Sequence, residues 1–186
     1  MQIYLFDELE KFNYEIIIEL LPPERLEKLL KYKSAESRNL SAAAYMLLRF
    51  AVKDFAGLDE VPEFSFNEHG KPYFKGVDDL FFNLSHCKYG VVCGVSGQEI
   101  GVDIQDVRKV SDGIIKKVML PEEQQIISAS ADPERTFAKI WSMKESCVKL
   151  SGEGLSFGLK NVDTTKIKNI RTWIYAFPNL TKGNYL

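Results

Sequence analysis

One apolar strand and one long helix, joined within the run from Ile100 to Lys149, constrain this chain more than any other feature. Gly101-Val102-Asp103-Ile104-Gln105 reads as a strand, so Asp103 and Gln105 leave one face while Val102 and Ile104 leave the other. Trp141-Ser142-Met143-Lys144-Glu145-Ser146-Cys147-Val148-Lys149 reads as a helix with Trp141, Glu145 and Lys149 on one i, i+4 row. The two elements offer two carboxylates, an amide and an ammonium, a set able to hold a divalent cation and an anionic substrate together. Each piece also has an ordinary reading. Asp103 can cap a turn at a strand end, and Glu145 with Lys149 can be a surface pair contributing roughly 0.3–0.5 kcal/mol. Gly101, on the face of Asp103, leaves room for a ligand or another backbone. Trp141, on the row of Glu145, speaks against a fully exposed face. Lys144 stands at the edge of the apolar stripe, so its ammonium needs a partner or a path to solvent.

Gln2–Phe6 has strand character and Glu8–Leu21 that of an irregular helix, broken at Pro22-Pro23. Pro23-Glu24-Arg25 opens a helix with a basic flank of Arg25, Lys28 and Lys31. A long helix is predicted from Ser34, a cap, to Ala56, with Gly57 ending it. The pattern then changes to strands around Phe64 and Phe66, at Phe81–Ser85, at Val91–Val95 and at Ile100–Ile104, with turns at His69–Pro72 and Ser96–Glu99. Helices follow at Ser111–Met119, from Leu120-Pro121, and from Asp132-Pro133 through Lys149 to Gly152. Arg171–Phe177 reads as a late strand.

Pro23-Glu24 and Pro121-Glu122 stand about half a chain apart, each preceded by a strand and followed by a long helix and further strand character. This faint repeat suggests an α+β protein of two similar lobes, 1–96 and 97–186, each a small, mostly antiparallel sheet packed on a long helix. Their interface is a natural ligand cleft. The second lobe looks short, as if its last strand were cut off at Tyr185-Leu186.

A net charge of −2 in 186 residues gives no reason to expect nucleic-acid binding. No apolar run approaches the ~20 residues of a membrane span, and the N-terminus lacks the features of a signal peptide. Three cysteines without CxxC spacing point to reduced thiols and a cytoplasmic protein.

Two further stretches carry polar chemistry. In Phe81-Phe82-Asn83-Leu84-Ser85-His86, Asn83 and Ser85 share a strand face and His86 follows at its end. They either bond locally in a turn or meet a phosphate. Gly70-Lys71-Pro72 is a rigid turn with one cation, and is uninformative alone.

Taken in order, Gly70-Lys71-Pro72, Phe82-Asn83-Leu84-Ser85-His86, Gly101-Val102-Asp103 and Trp141-Ser142-Met143-Lys144-Glu145 with Lys149 resemble the Sfp-type 4′-phosphopantetheinyl transferases, of the holo-acyl-carrier-protein synthase superfamily. The resemblance covers roughly residues 20 to 160. It implies two lobes related by a pseudo-twofold axis. It implies Mg²⁺-dependent transfer of the phosphopantetheine arm of coenzyme A to a serine of an apo acyl or peptidyl carrier protein, releasing adenosine 3′,5′-bisphosphate. Asp103 and Glu145 would bind Mg²⁺ (Mn²⁺ can substitute), with Glu145 also the general base for the carrier serine. Lys149 would hold the pyrophosphate and steady the leaving phosphate. Ser85 and His86 would contact the phosphates of coenzyme A, and Gly70, Lys71 and Pro72 would line the adenine site. Arg25 and Lys28 fall where the family places cations for the 3′-phosphate, Ser41 would add a hydroxyl, and Lys144 would support the site. Many relatives carry Glu where this chain has Gln105, so Gln105 would bind the metal through its carbonyl oxygen, hold a metal-bound water, or do neither. These residue types suit phosphoryl transfer, which asks for positioning and charge neutralisation.

Arg108, Lys109, Lys116 and Lys117, interleaved with Val110, Ile114, Ile115, Val118 and Met119, either dock an acidic carrier or form an ordinary amphipathic helix. A two-lobed chain needs no second copy to complete its site, so a monomer is expected. Fatty acid, polyketide and nonribosomal peptide synthesis all supply suitable carriers. Two other functions compete. One is a Mg²⁺-dependent nuclease, which the net acidity and Val107 disfavour. The other is a non-catalytic module that binds coenzyme A or a carrier protein.

Overall fold

The computed structural model describes residues 1–167 and the strand at 174–177. Strand β1 (Gln2–Phe6) is followed by two short 3₁₀ turns, Leu9–Lys11 and Tyr14–Leu20, where the sequence predicts an irregular helix. The run Ile16-Ile17-Ile18 explains the difference, since consecutive β-branched residues are stiff and favour the α-helix less. Helix α1 (Pro23–Leu30) begins at the expected proline. Helix α2 (Ala35–Ala56) has its limits written in the chain. The Ser34 hydroxyl accepts from the Ser37 amide, and Gly57 closes the helix at φ 72°.

Strands β2 (Phe64–Phe66) and β3 (Pro72–Phe74) form an antiparallel hairpin. Strands β4 (Phe81–His86) and β5 (Val91–Ser96) join β1 in an antiparallel sheet of order β1-β5-β4. The central strand β5 is buried at all six positions. Helix α2 covers the sheet, setting Leu48, Ala51 and Val52 against Phe74, Phe82, Cys93 and Val95. Ala43 and Ala44 meet Val91, where small side chains let the helix approach. Phe74 and Phe82 stack at 4.4 Å.

Strand β6 (Asp103–Asp106) starts three residues later than the sequence suggests. After it come helices α3 (Asp112–Val118), α4 (Pro121–Ala129) and α5 (Pro133–Ser151), then strand β7 (Ile174–Phe177). Strand β7 pairs with β6 in parallel, the one parallel pairing among the described strands, in a chain whose sheets the sequence predicts to be mostly antiparallel. The helices between them supply the crossover that parallel pairing requires. Residues 171–173, the front of the predicted late strand, and the suggested closing segment at Tyr185-Leu186 lie outside the described residues. No described helix is long and apolar enough to cross a membrane.

Ile100, Val102 and Ile104 pack with Cys87 of the β4–β5 turn and Val92 of β5, so β6 and the central sheet share a core cluster. Helix α5 crosses over Gly101. A Cβ there would lie 2.1 Å from the Ser146 carbonyl oxygen and 2.5 Å from the Leu150 nitrogen. The glycine read from sequence as room for a close neighbour therefore serves a backbone, that of α5. Gly101→Ala is expected to push α5 outward and to cost about 1–3 kcal/mol. A thermal melt checks this, and an unchanged midpoint would mean that the helix has slack at this crossing.

Candidate active site

Asp103 opens β6 and is only 3% exposed, yet it is surrounded by donors. Its Oδ1 accepts from the Ser85 hydroxyl at 2.8 Å and from the Lys149 ammonium at 2.6 Å. Its Oδ2 accepts from the Ser142 hydroxyl at 2.9 Å and the Gln105 amide at 3.1 Å. Alternation along β4 puts Asn83 and Ser85 on one face, as the sequence predicts. Asn83 Oδ1 accepts from the Val102 amide at 2.9 Å and pins the approach to β6, while Ser85 reaches the carboxylate itself. Lys149 also donates to Ser85 Oγ at 2.7 Å. A buried anion is costly unless paired and hydrogen-bonded, and Asp103 is both.

A cleft of about 270 Å³ opens beside this centre, lined by Gly70, Lys71, Pro72, Asn83, Glu145 and Lys149 among others. The turn, strand and helix that sequence reading picked out separately thus meet at one place. Glu145 is half-buried on α5. Burial and then the charge of Asp103 raise its pKa above the ordinary glutamate value, partly offset by Lys149. His86 ends β4, where partial desolvation and the Lys149 charge lower its pKa below the ordinary value of 6.5. His86 is itself exposed, and the shift favours the neutral form of the imidazole at pH 7.

The turn at Gly70 is docked onto the C-terminus of α5. Asn67 Nδ2 donates to the Gly152 carbonyl at 2.9 Å, and Asn67 Oδ1 accepts the Lys71 amide at 2.8 Å. The Lys71 ammonium pairs with Glu99 and reaches the Leu150 carbonyl at 3.1 Å. A cation on the last carbonyls of a helix is favourably placed. Lys71 thus lines the cleft and holds the end of the helix that carries Glu145 and Lys149.

The other predicted residues lie apart. Arg25 of α1 places its guanidinium 4.8 Å from the Tyr45 ring centroid, and burial lowers its pKa. Lys28 is exposed in the last turn of α1, and Ser41 is half-buried in α2. None of the three is among the residues lining the cleft. Trp141 leaves the row of Glu145 to pack with Phe137, Met119 and Ile127. Lys144 points into the protein. Its ammonium is fully buried 2.8 Å from Glu123 and also donates to the carbonyls of Leu159 and Val162.

Ser142 has no assigned role in the sequence reading, although a signal was available. Ser142, Glu145 and Lys149 are spaced i, i+3, i+7 and so share a helix face.

Among the described residues no group of three His, Cys, Asp or Glu side chains is placed to hold a metal ion. Asp103 and Glu145 are close enough for one to raise the pKa of the other. Mg²⁺ is usually held by one or two carboxylates together with substrate phosphates and water. Two neighbouring carboxylates, with Glu145 lining the open cleft, fit that ion. Gln105 turns its NH₂ toward Asp103, which leaves an amide oxygen as a neutral acceptor.

Residues 99–185 match the model of the 4′-phosphopantetheinyl transferase superfamily. The chain is 34% identical over 139 residues to a 4′-phosphopantetheinyl transferase of Bacillus subtilis, covering 73% of this chain and 62% of that protein. It is 32% identical over 160 residues to the 4′-phosphopantetheinyl transferase Sfp of Bacillus subtilis strain 168, covering 84% of this chain and 71% of that protein. It is 33% identical over 114 residues to the 4′-phosphopantetheinyl transferase AcpT of Salmonella typhi, covering 58% of each chain. Against the first of these relatives the chain spans less than two thirds of the partner's length. Similarity of this depth, together with the ordered motifs meeting at one cleft, places the chain in the 4′-phosphopantetheinyl transferase superfamily.

Proposed function

We propose that the protein transfers the 4′-phosphopantetheine arm of coenzyme A to a serine of an apo acyl or peptidyl carrier protein. The observation that carries this reading is the convergence of Asp103, Glu145, Lys149 and Ser85 beside a cleft that the Gly70–Pro72 turn also lines. The transferase activity for which these relatives are named supports it. Asp103 and Glu145 would hold Mg²⁺, or Mn²⁺ in its place, which when bound neutralises pyrophosphate charge.

Glu145 takes the proton of the carrier serine as that oxygen attacks the phosphorus bearing the pantetheine arm. The bond from this phosphorus to the bridging oxygen breaks, and adenosine 3′,5′-bisphosphate leaves with that oxygen. Lys149 carries its ammonium to the developing negative charge. Ser85 and His86 flank the phosphates, and His86 offers the hydrogen bond to a phosphate oxygen, since the one hydroxyl proton of Ser85 goes to Asp103. Gly70, Lys71 and Pro72 form the adenine side, while Arg25, Lys28 and Ser41 serve the 3′-phosphate. The same reading takes the chain as a monomeric, cytoplasmic protein of two similar lobes, 1–96 and 97–186, related by a pseudo-twofold axis. It expects no nucleic-acid or membrane partner.

The test is mass spectrometry of an apo-carrier mixed with coenzyme A, Mg²⁺ and the protein. A gain of one phosphopantetheine mass is expected. No gain across acyl and peptidyl carriers would favour a module that binds coenzyme A without turning it over.

Two further outcomes follow from the site. Gln105 donates to Asp103, so its role is to orient that carboxylate. Gln105→Ala is expected to raise the Mg²⁺ concentration for half-maximal activity by about tenfold, the low end for an outer-shell partner. Asp103→Ala should raise it far more. Equal effects in a Mg²⁺ titration would make Gln105 a ligand in its own right. Lys116 and Lys117 are exposed on α3 beside Ile114, which is 46% exposed. They are proposed to dock the acidic carrier. Reversing both to glutamate should raise the carrier KM several-fold and leave the coenzyme A KM unchanged. An unchanged carrier KM would remove α3 from the docking surface.

A further inference from the structure

A carboxylate offers about four lone-pair sites, and Asp103 has four donors on them. Oδ1 takes Ser85 and Lys149, and Oδ2 takes Ser142 and Gln105. A cation that binds Asp103 must therefore displace one of the four. Ser85 and Ser142 are 6% and 1% exposed and are fixed on β4 and α5. Gln105 lies on the same strand as Asp103, two residues along. Lys149 differs in three ways. Its side chain is 27% exposed at the cleft, it sits on a flexible four-carbon stem, and it carries a positive charge. The other three donors are neutral and compatible with a nearby divalent ion. The ammonium is not, because two cations on one oxygen repel.

We infer that Lys149 is the resident counter-cation of Asp103 and must leave it before Asp103 can take a divalent metal. This inference rests on the proposed assignment of Asp103 as a metal ligand. The exchange has a direction. An anionic pyrophosphate in the cleft gives the ammonium a second partner, and a swing of the stem carries it from the aspartate to the phosphate. Metal and coenzyme A then bind as a coupled pair, since each favours the same position of Lys149. Such coupling is reciprocal in the two affinities. Lys149 would thus set the order of assembly of the site, besides steadying the leaving group.

The direction separates this role from phosphate binding alone. If Lys149 only held phosphate, its loss would leave metal affinity unchanged in the absence of coenzyme A. If it occupies Asp103, its loss would strengthen metal binding there. The experiment is a Mn²⁺ titration of the full chain, followed by the electron paramagnetic resonance signal of free Mn²⁺, with and without coenzyme A. Lys149→Met, which keeps the apolar stem, should bind Mn²⁺ without coenzyme A about tenfold or more tightly than the unaltered protein. It should also gain less on addition of coenzyme A. Lys149→Arg keeps the charge and should bind Mn²⁺ no more tightly than the unaltered protein. Adding Asp103→Asn to Lys149→Met should abolish the gain, which locates the ion. A thermal melt reports folding, and should Lys149→Met fail to fold, Lys149→Gln carries the same expectation. Mn²⁺ affinity in the neutral variants equal to or below that of the unaltered protein would overturn the exchange while leaving the metal assignment standing. No Mn²⁺ binding by the unaltered protein with coenzyme A would overturn the metal assignment and the exchange with it.

Discussion

Glu145→Gln is expected to lower turnover at least about 10³-fold while leaving the fold intact, a loss within the range for removing a general base. The substitution keeps the size of the side chain and replaces an oxygen that can accept a proton and carry charge with an amide that can do neither. Position explains why the effect should be large. Glu145 is half-buried in the cleft wall, one turn from Lys149 on α5, and burial together with the Asp103 charge raises its pKa in the metal-free protein. Lys149, one turn further along α5, and Asp103, beneath it on β6, remain in place in the variant. The readout is the rate of carrier mass gain at saturating coenzyme A, with a thermal melt alongside. A fall of less than about tenfold with unchanged stability would remove Glu145 from proton transfer and leave the base to another group.

The helices that frame the site were legible because their ends are encoded locally. Ser34 and Gly57 bound α2, and Asp132, Pro133 and Gly152 bound α5, each through its own backbone chemistry. The convergence of Ser85, Asp103, Glu145 and Lys149 was legible only through the ordered motifs and the family resemblance they carry. Spacing alone left an ordinary reading open for each. The start of β6 was misplaced because Ile100-Gly101-Val102 alternates like a strand. At that point the α5 backbone lies against Gly101, a contact between elements distant in sequence. The same limit applies to Asp103. The strand pattern shows a carboxylate among apolar neighbours. It does not show that Ser142, on an element distant in sequence, completes its set of donors. Lys144 is the clearest case. Sequence puts it beside Glu145 and asks for a partner, but neighbours on a helix point about 100° apart. The partner is Glu123, brought there by the packing of α4 on α5.

Lys144→Met should accordingly unfold the protein more readily than any substitution in the cleft, and for a reason separate from the chemistry. Lys144 and Glu123 are both fully buried, 2.8 Å apart. Glu123 also accepts from the Leu120 amide at 2.8 Å, from the Thr164 amide at 3.1 Å and from the Thr164 hydroxyl at 2.7 Å. Removing one member of such a pair strands the other charge, at a cost of about 3–5 kcal/mol. For a chain of this size that corresponds to a fall in Tm on the order of 10 °C. Burial alone would raise the Glu123 pKa. The bonds from Lys144, the Leu120 amide and Thr164 outweigh it, and the folded-state pKa lies below the ordinary 4.5. A depressed folded-state value means that the associated stability is present at neutral pH and is lost as pH falls through the acid range. The penalty of Lys144→Met should therefore be greatest near pH 7 and shrink as pH falls, beginning above the ordinary glutamate value, because the stranded buried carboxyl of the variant takes up its proton there. Glu123→Gln added to Lys144→Met removes the stranded charge and keeps one acceptor oxygen, enough for Thr164 or for Leu120 but not for both, since they bond different oxygens of Glu123. The double variant should recover part of the lost stability at pH 7, and thermal melts of the three proteins at pH 7 and pH 4 measure this directly. A double variant no more stable than Lys144→Met would mean that the loss lies in packing around the lysine stem and its bonds to Leu159 and Val162, rather than in the buried charge.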